Sequence, residues 1–198
     1  MRQRFISSRN YYILIISIQC VKLLRKVYWN EVELFILENF EIAIQYLKLK
    51  IISLGTRMNT LDKEKKRLAD QFRRDGYIIN NRIHEAFLKV PREEFVLEED
   101  RQHAYEDHPL PVVRNQTISA PHMCILILSY GDFKPNQKVL EVGSGTGYQA
   151  ALISEMVKPG GFVYGIERHE ILAEMGMQNL ERTGYSEGVL VIAGDGTL

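Results

Sequence analysis

Residues 139–147 read VLEVGSGTG, and this stretch predicts the fold of the chain. An apolar run that contains Glu141 leads into three alternating glycines: Gly143, Gly145 and Gly147. A helix-like stretch, YQAALISEMV, follows directly. A buried strand, a tight turn and a helix start in this order bring backbone N–H groups against an anionic or nucleoside ligand.

The spacing of the glycines argues against a dinucleotide as the ligand. A dinucleotide fingerprint reads G-x-G-x-x-G, and its third glycine lets the helix and the strand pack closely. Tyr148 occupies that third place here, and its ring would block such an approach. A glycine-rich loop alone is weak support for a ligand site, so an ordinary flexible turn stays open at this point.

Two further strands are predicted downstream, and each leads to an acidic residue. Residues 161–166, GFVYGI, end at Glu167, and residues 188–193, GVLVIA, lead into a turn that contains Asp195 and Gly196. With Glu141, three acids would lie at the carboxyl edge of one parallel sheet, where open α/β sheets bind ligands. The alternatives are a solvated strand end for Glu167 and a simple turn residue for Asp195.

Several motifs carry a resemblance to a known family. The acidic residue followed by glycine-x-glycine-x-glycine resembles motif I of the class I S-adenosylmethionine-dependent methyltransferases. The more specific stretch QTISAPHM at residues 116–123 resembles the signature of the protein-L-isoaspartate (D-aspartate) O-methyltransferases. VPREEFV at residues 90–96, YEDHPLP at 105–111 and GDGTL at 194–198 are similar to the same family, so the resemblance runs from about residue 61 to the last.

The resemblance implies an enzyme that repairs damaged proteins. It would transfer a methyl group from S-adenosyl-L-methionine to the α-carboxylate of L-isoaspartyl residues and release S-adenosyl-L-homocysteine. Ser119 matches the active-site position of the family, and Thr117, Ile118 and Ser119 itself would contact the cofactor. The residues alone offer an alternative for Ser119, because serine shortly before a proline and an apolar run is typical of a helix N-cap.

The other site residues follow from the same resemblance. Glu141 would lie near the amino-acid end of the cofactor, and the three glycines would form the loop against it. Glu167 would hold the ribose, and Asp195 with Gly196 would contact the adenine. The chain departs from the family at Cys124, where many members have a histidine that approaches the cofactor. A thiol packs like a small hydrophobe, so we expect Cys124 in the core and His122 in a structural or exposed position.

Composition restricts the partners. Lys and Arg number 25, as do Asp and Glu, so there is no global electrostatic case for nucleic acid binding. The two cysteines have no metal-binding spacing and fit a reduced, cytoplasmic protein without a metal site. We therefore expect isoaspartyl-containing proteins and peptides as substrates, no stable membrane insertion, and a monomer.

The composition changes sharply near residue 57. Residues 1–57 contain no proline, whereas all 6 prolines of the chain lie beyond them. We expect this segment to be an atypical extension. It either results from a start codon assigned too far upstream, or it is a disordered or amphipathic helical module that lies on a partner or membrane surface. Its apolar run at residues 11–18 is shorter than the ~20 residues that cross a bilayer. Residues 58–198 would form the methyltransferase domain.

The expected architecture is α/β and Rossmann-like, with N-terminal helices before the first three strands of an incomplete parallel sheet. The resemblance implies further strands in complete family members, so the chain resembles a member truncated at the C-terminus. We then expect exposed apolar surface, unpaired strand edges, poor folding and weak cofactor binding. Two other functions stay open: a class I methyltransferase with an RNA or small-molecule substrate, and a non-catalytic remnant or interaction module.

Overall fold

The computed structural model describes residues 44–45, 48–49, 52 and 60–197. The chain divides into two compact units, Met1–Gly55 and Thr56–Leu198, and the helices and strands named below belong to the second. The predictions for residues 1–57 lie almost entirely outside the described residues, and they stay predictions. Within the described part of the chain, no helix is long and apolar enough to cross a membrane.

Two helices open the second unit. Residues 60–74 are helical and form α1, one of the expected N-terminal helices. Helix α2 spans Asn81–Lys89. The Asn80 side chain accepts a hydrogen bond from the Ile83 N–H at 3.0 Å and caps α2, which satisfies one of the free N–H groups of its first turn.

Residues 91–118 form short elements of secondary structure. Three 3₁₀ helices cover Arg92–Glu94, Glu98–His103 and Val113–Asn115. Strand β1 (Leu110–Pro111) pairs antiparallel with β2 (Thr117–Ile118). This small hairpin fixes the position of the residues that follow it.

The central sheet has three parallel strands in the order β3-β4-β5. They span Lys138–Val142, Phe162–Glu167 and Val189–Ala193. Helix α3 (Pro121–Tyr130) precedes the sheet, and α4 (Tyr148–Val157) and α5 (Glu170–Thr183) connect its strands. The expected α/β architecture with its first three parallel strands is confirmed.

The two faces of the sheet differ. On one face Val163, Val189 and Val191 are buried beneath the helices. Side chains of the opposite face are apolar and exposed: Leu140, Val142, Tyr164, Leu190 and Ile192. The expectation of exposed apolar surface is therefore confirmed for the described residues.

The predicted N-cap role of Ser119 is wrong. Helix α3 begins at Pro121, and its N-cap is Ala120, whose side chain cannot accept a hydrogen bond. The Asp107 carboxylate accepts the His122 N–H at 2.9 Å instead. A cap supplied from a distant loop leaves no trace in the local sequence, and it leaves the hydroxyl of the exposed Ser119 free for another role.

Candidate functional site

A cavity of about 400 Å³ lies at the carboxyl end of β3. Three segments line it: the end of the hairpin with Thr117, Ile118 and Ser119, the strand residues 139–142, and the loop and helix start at residues 143–146 and 148–149. Side chains from the neighbouring helices and the loop after α3 complete the wall: Cys124, Ile127, Phe133 and Ile153. Its size falls within the range of small-molecule sites.

The glycine loop is held tightly against β4. Gly143, Gly145 and Gly147 have φ values of +83°, +54° and +86°, a region that side-chain-bearing residues rarely adopt. The N–H groups of Gly143 and Ser144 donate to the Ile166 carbonyl at 2.7 Å and 3.2 Å. Gly143 and Gly145 line the cavity, and Gly147 instead packs against α5, where a Cβ would lie 3.1 Å from Leu180.

Glu141 lines the cavity from β3. Its Oε2 atom is buried and has no hydrogen-bond partner. Burial disfavours the charged carboxylate and, with the nearby Glu167 carboxylate, raises the pKa of Glu141 to about 8. An unpartnered buried carboxyl is suited to bind a cationic or hydrogen-donating group.

Glu167, the last residue of β4, is buried and braces the glycine loop. Its Oε2 accepts the Gly145 N–H at 3.0 Å, and its Oε1 accepts the His169 N–H at 2.9 Å. Glu167 is not one of the described residues that line the cavity. The predicted contact with a ribose stays a prediction, and the structure adds a role in fixing the loop.

Asp195 and Gly196 follow β5 and lie outside the cavity wall. The exposed Asp195 carboxylate accepts hydrogen bonds from the Thr197 N–H at 2.9 Å and the Thr197 hydroxyl at 2.7 Å, and these bonds hold its pKa below the usual value. A Cβ at Gly196 would lie 2.6 Å from Val142. The loop after β5 therefore reaches the end of β3, and the three acids lie along one edge of the sheet.

The hairpin residues Thr117, Ile118 and Ser119 face the glycine loop across the cavity. Ile118 is buried, whereas Thr117 and Ser119 are exposed. The Ser119 carbonyl accepts a hydrogen bond from Arg92 Nη2 at 2.7 Å. The predicted active-site serine and the predicted cofactor loop are thus brought together.

Arg92 is a site residue that sequence reasoning missed. It is fully buried, and its Nε donates to the Ala104 carbonyl at 2.8 Å. Its guanidinium carbon lies 5.0 Å from the centre of the Tyr148 ring, a cation–π distance. The only sequence signal was its place in VPREEFV, an arginine beside apolar residues.

Further polar atoms around the cavity are buried without partners. They belong to residues that the sequence analysis did not assign to ligand binding: Ser144 Oγ, Tyr148 OH, and both side-chain atoms Gln149 Oε1 and Nε2. Unpartnered polar atoms are costly in a protein interior. Their concentration on one cavity fits a ligand that supplies both hydrogen-bond donors and acceptors.

Cys124 and His122 lie as expected from their residue types. Cys124 is buried in the core and also lines the cavity, and burial raises the pKa of its thiol to about 11, so the thiol is neutral. His122 Nδ1 lies 2.9 Å from Asp107 Oδ1 and does not line the cavity. Among the described residues no group of side chains could hold a metal ion.

Comparisons with known proteins agree with this geometry. The chain is 50% identical over 135 residues to a protein-L-isoaspartate O-methyltransferase of Methanopyrus kandleri, a match that covers 68% of this chain and 60% of the relative. It is 50% identical over 140 residues to that of Hyperthermus butylicus, covering 67% and 58% of the two chains. The chain thus spans about three fifths of the length of these relatives.

A solved structure is also similar. The protein-L-isoaspartate O-methyltransferase of Plasmodium falciparum, crystallised with S-adenosyl-L-homocysteine, superposes with a TM-score of 0.58 at 28% identity. The match covers 66% of this chain and 62% of that one. The family model for protein-L-isoaspartate (D-aspartate) O-methyltransferases matches residues 63–198, and the chain belongs to this family.

Proposed function

We propose that this chain provides the cofactor site and the active-site serine of a protein-L-isoaspartate O-methyltransferase. The reaction transfers a methyl group to the α-carboxylate of L-isoaspartyl residues in damaged proteins and peptides. One observation carries the proposal: Ser119 and the glycine loop line one cavity, in which the buried Glu141 carboxyl has no partner.

The nucleophile belongs to the substrate. A free carboxylate is ionised at neutral pH because its pKa lies near 4, so the chain needs no general base to activate it. S-adenosylmethionine, when bound, supplies the methyl group on a sulfonium leaving group. The task of the protein is then to align the two reactants, and orientation can supply much of the barrier reduction.

Each predicted residue of the site would contact either the substrate carboxylate or one part of the cofactor. The Ser119 hydroxyl is free to donate a hydrogen bond to the incoming carboxylate, and Arg92 fixes the Ser119 backbone by donating to its carbonyl. Thr117 and Ile118 would contact the cofactor beside it, and Glu141 with the glycine loop would bind its amino-acid end. Glu167 would contact the ribose, and Asp195 with Gly196 the adenine.

The Ser119→Ala variant tests the role of the hydroxyl. If Ser119 orients the substrate, turnover of an isoaspartyl peptide falls by about 10-fold or more, because one hydrogen bond to a charged group is worth roughly 1.5–3 kcal/mol. Binding of S-adenosyl-L-homocysteine, measured by calorimetry, changes much less. Unchanged turnover would remove Ser119 from the mechanism.

Methyl transfer to an isoaspartyl peptide, compared with the matching aspartyl peptide, tests the function as a whole. Transfer to the isoaspartyl peptide alone supports the proposal. Transfer to neither, with measurable cofactor binding, would favour a non-catalytic binding module. We further propose that the chain is a monomer at low concentration, which sedimentation of the same preparation tests.

We also propose that residues 58–198 are the methyltransferase domain of a cytoplasmic protein, and that residues 1–57 are a separate extension. The family match begins at residue 63, which supports this boundary. The cytoplasmic assignment rests on the two cysteines, which are far apart in the sequence and fit a reducing compartment.

A further inference from the structure

Gln149 has the most unusual environment of the polar side chains around the cavity. It is the second residue of α4, and its side chain lines the cavity. Its amide nitrogen Nε2 and its amide oxygen Oε1 are both buried, and neither has a hydrogen-bond partner. Leaving both ends of an amide unpaired costs free energy, which a bound ligand could recover.

Among the described residues, none makes a hydrogen bond to the Gln149 amide. The other residues of α3 and α4 that line the cavity are Cys124, Ile127, Tyr148 and Ile153. Of these only Tyr148 has a hydroxyl, and that hydroxyl is likewise buried without a partner among the described residues. A purely structural glutamine at the start of a helix would be expected to reach water or a backbone group. The unpaired amide therefore points to a ligand.

The required ligand must both accept and donate hydrogen bonds. An amide nitrogen only donates, and an amide oxygen only accepts. Glu141 lines the same cavity, and its unpartnered Oε2 atom, when the carboxyl is ionised, adds a second acceptor with negative charge. An α-amino acid end fits this set, because its carboxylate can accept from Nε2 and its ammonium can donate to Oε1 and to Glu141.

We propose that Gln149 is a binding residue for the amino-acid end of the cofactor, acting together with Glu141. The inference rests on the proposed function for the presence of that cofactor. It assigns to Gln149 the recognition of the amino-acid end, as distinct from the nucleoside, whose predicted contacts Asp195 and Gly196 lie outside this cavity.

The test compares two ligands that differ at the amino-acid end alone. S-adenosyl-L-homocysteine carries the amino-acid end, and 5′-methylthioadenosine has the same nucleoside and sulfur without it. In calorimetry with the full chain, Gln149→Leu should lower the affinity for S-adenosyl-L-homocysteine about 10-fold or more, because the lost hydrogen bonds are made to charged groups. Affinity for 5′-methylthioadenosine should stay within about twofold.

Two further variants make the test specific. Gln149→Glu removes the amide donor but keeps an acceptor. It should therefore also lower the affinity for S-adenosyl-L-homocysteine and leave the affinity for 5′-methylthioadenosine unchanged. Gln178→Leu is the matched control, because Gln178 is an exposed glutamine in α5 and should leave both affinities unchanged. Gln149→Leu should fold at least as stably as the parent without ligand, since it removes unpaired polar atoms.

The outcomes separate this inference from the proposed function. If the parent binds S-adenosyl-L-homocysteine but Gln149→Leu weakens both ligands equally, or neither, the role of Gln149 is overturned and the cofactor assignment stands. If the parent chain binds neither ligand, the cofactor assignment fails, and the inference fails with it.

Discussion

Glu141 is the residue whose ionisation we expect to change the stability of the folded chain. Its carboxyl has a pKa of about 8 in the folded protein, against an ordinary value of 4.5. Between these two pH values the folded chain retains a proton that the unfolded chain has lost. The free energy of unfolding should therefore fall as the pH rises from about 4.5 to about 8, and remain lower above that range.

The Glu141→Gln variant should remove this pH dependence. At about pH 3.5 the variant and the parent should be equally stable, because the Glu141 carboxyl is then neutral in both the folded and the unfolded chain. At pH 9 the variant should be more stable by roughly 2 kcal/mol, less than the full pKa shift implies because water reaches part of the cavity. Urea unfolding across this pH range measures the difference. The exposed Glu174→Gln is the control, and parallel curves for Glu141→Gln and the parent would contradict the assignment.

Arg92 stabilises the active-site region through two backbone carbonyls. In the Arg92→Met variant the carbonyls of Ala104 and Ser119 lose the guanidinium donor, and the Ser119 carbonyl keeps only the long contact with Cys124 Sγ at 4.0 Å. We expect the free energy of unfolding to fall by about 2–4 kcal/mol, as when other buried hydrogen-bond networks are broken. Urea unfolding gives this value directly.

Arg101→Met is the matched control for Arg92. The Arg101 guanidinium pairs with Glu94 at 3.3 Å and with Glu98 at 3.0 Å, and it is partly exposed. Such ion pairs contribute about 1 kcal/mol or less. If the free energy of unfolding falls equally in the two variants, the burial of Arg92 does not determine how much it stabilises the folded chain.

At the scale of elements, the close packing of helix α5 against the glycine loop depends on Gly176. A Cβ at Gly176 would lie 2.8 Å from the Gly145 carbonyl oxygen, which is backbone and cannot rotate away. Alanine favours an isolated helix by about 1 kcal/mol over glycine, but here α5 and the loop must separate. We expect Gly176→Ala to lower the free energy of unfolding by about 1–3 kcal/mol and to weaken S-adenosyl-L-homocysteine binding.

Gly184→Ala is the control for Gly176→Ala, because it replaces a glycine at the end of α5 without bringing a Cβ against another atom. Gly184 ends α5 with a φ of +79°, and a Cβ there would meet no atom within 4 Å. Its replacement should cost about 1 kcal/mol through strain and should leave ligand binding unchanged. A gain in stability from Gly176→Ala, measured by thermal unfolding and calorimetry, would contradict the close approach.

The elements that could be predicted from the sequence are those with local signals. The parallel strands, the glycine loop and helices α2, α4 and α5 follow from apolar periodicity and from turn residues within the same few positions. The start of α3 could not be predicted, because its capping carboxylate, Asp107, is distant in sequence. The roles of Arg92 and Gln149 depend on which buried polar atoms find partners, and only tertiary packing decides that.

At the scale of the whole molecule, the apolar face of the sheet determines how the chain behaves at high concentration. Leu190 and Ile192 are 40% and 49% exposed, and they lie on β5, an edge strand of the described sheet. A contiguous apolar surface beside an open strand edge promotes association. We expect the chain to self-associate in a concentration-dependent manner, which light scattering measures.

Lysine on this face should suppress that association. In the Leu190→Lys, Ile192→Lys double variant we expect less scattering at equal concentration, while the free energy of unfolding changes by no more than about 1 kcal/mol because both side chains are already partly exposed. Ile171→Lys is the control: Ile171 is 48% exposed near the start of α5, outside the sheet. If Ile171→Lys reduces scattering equally, added charge is the cause and the sheet face is not the surface through which the chains associate.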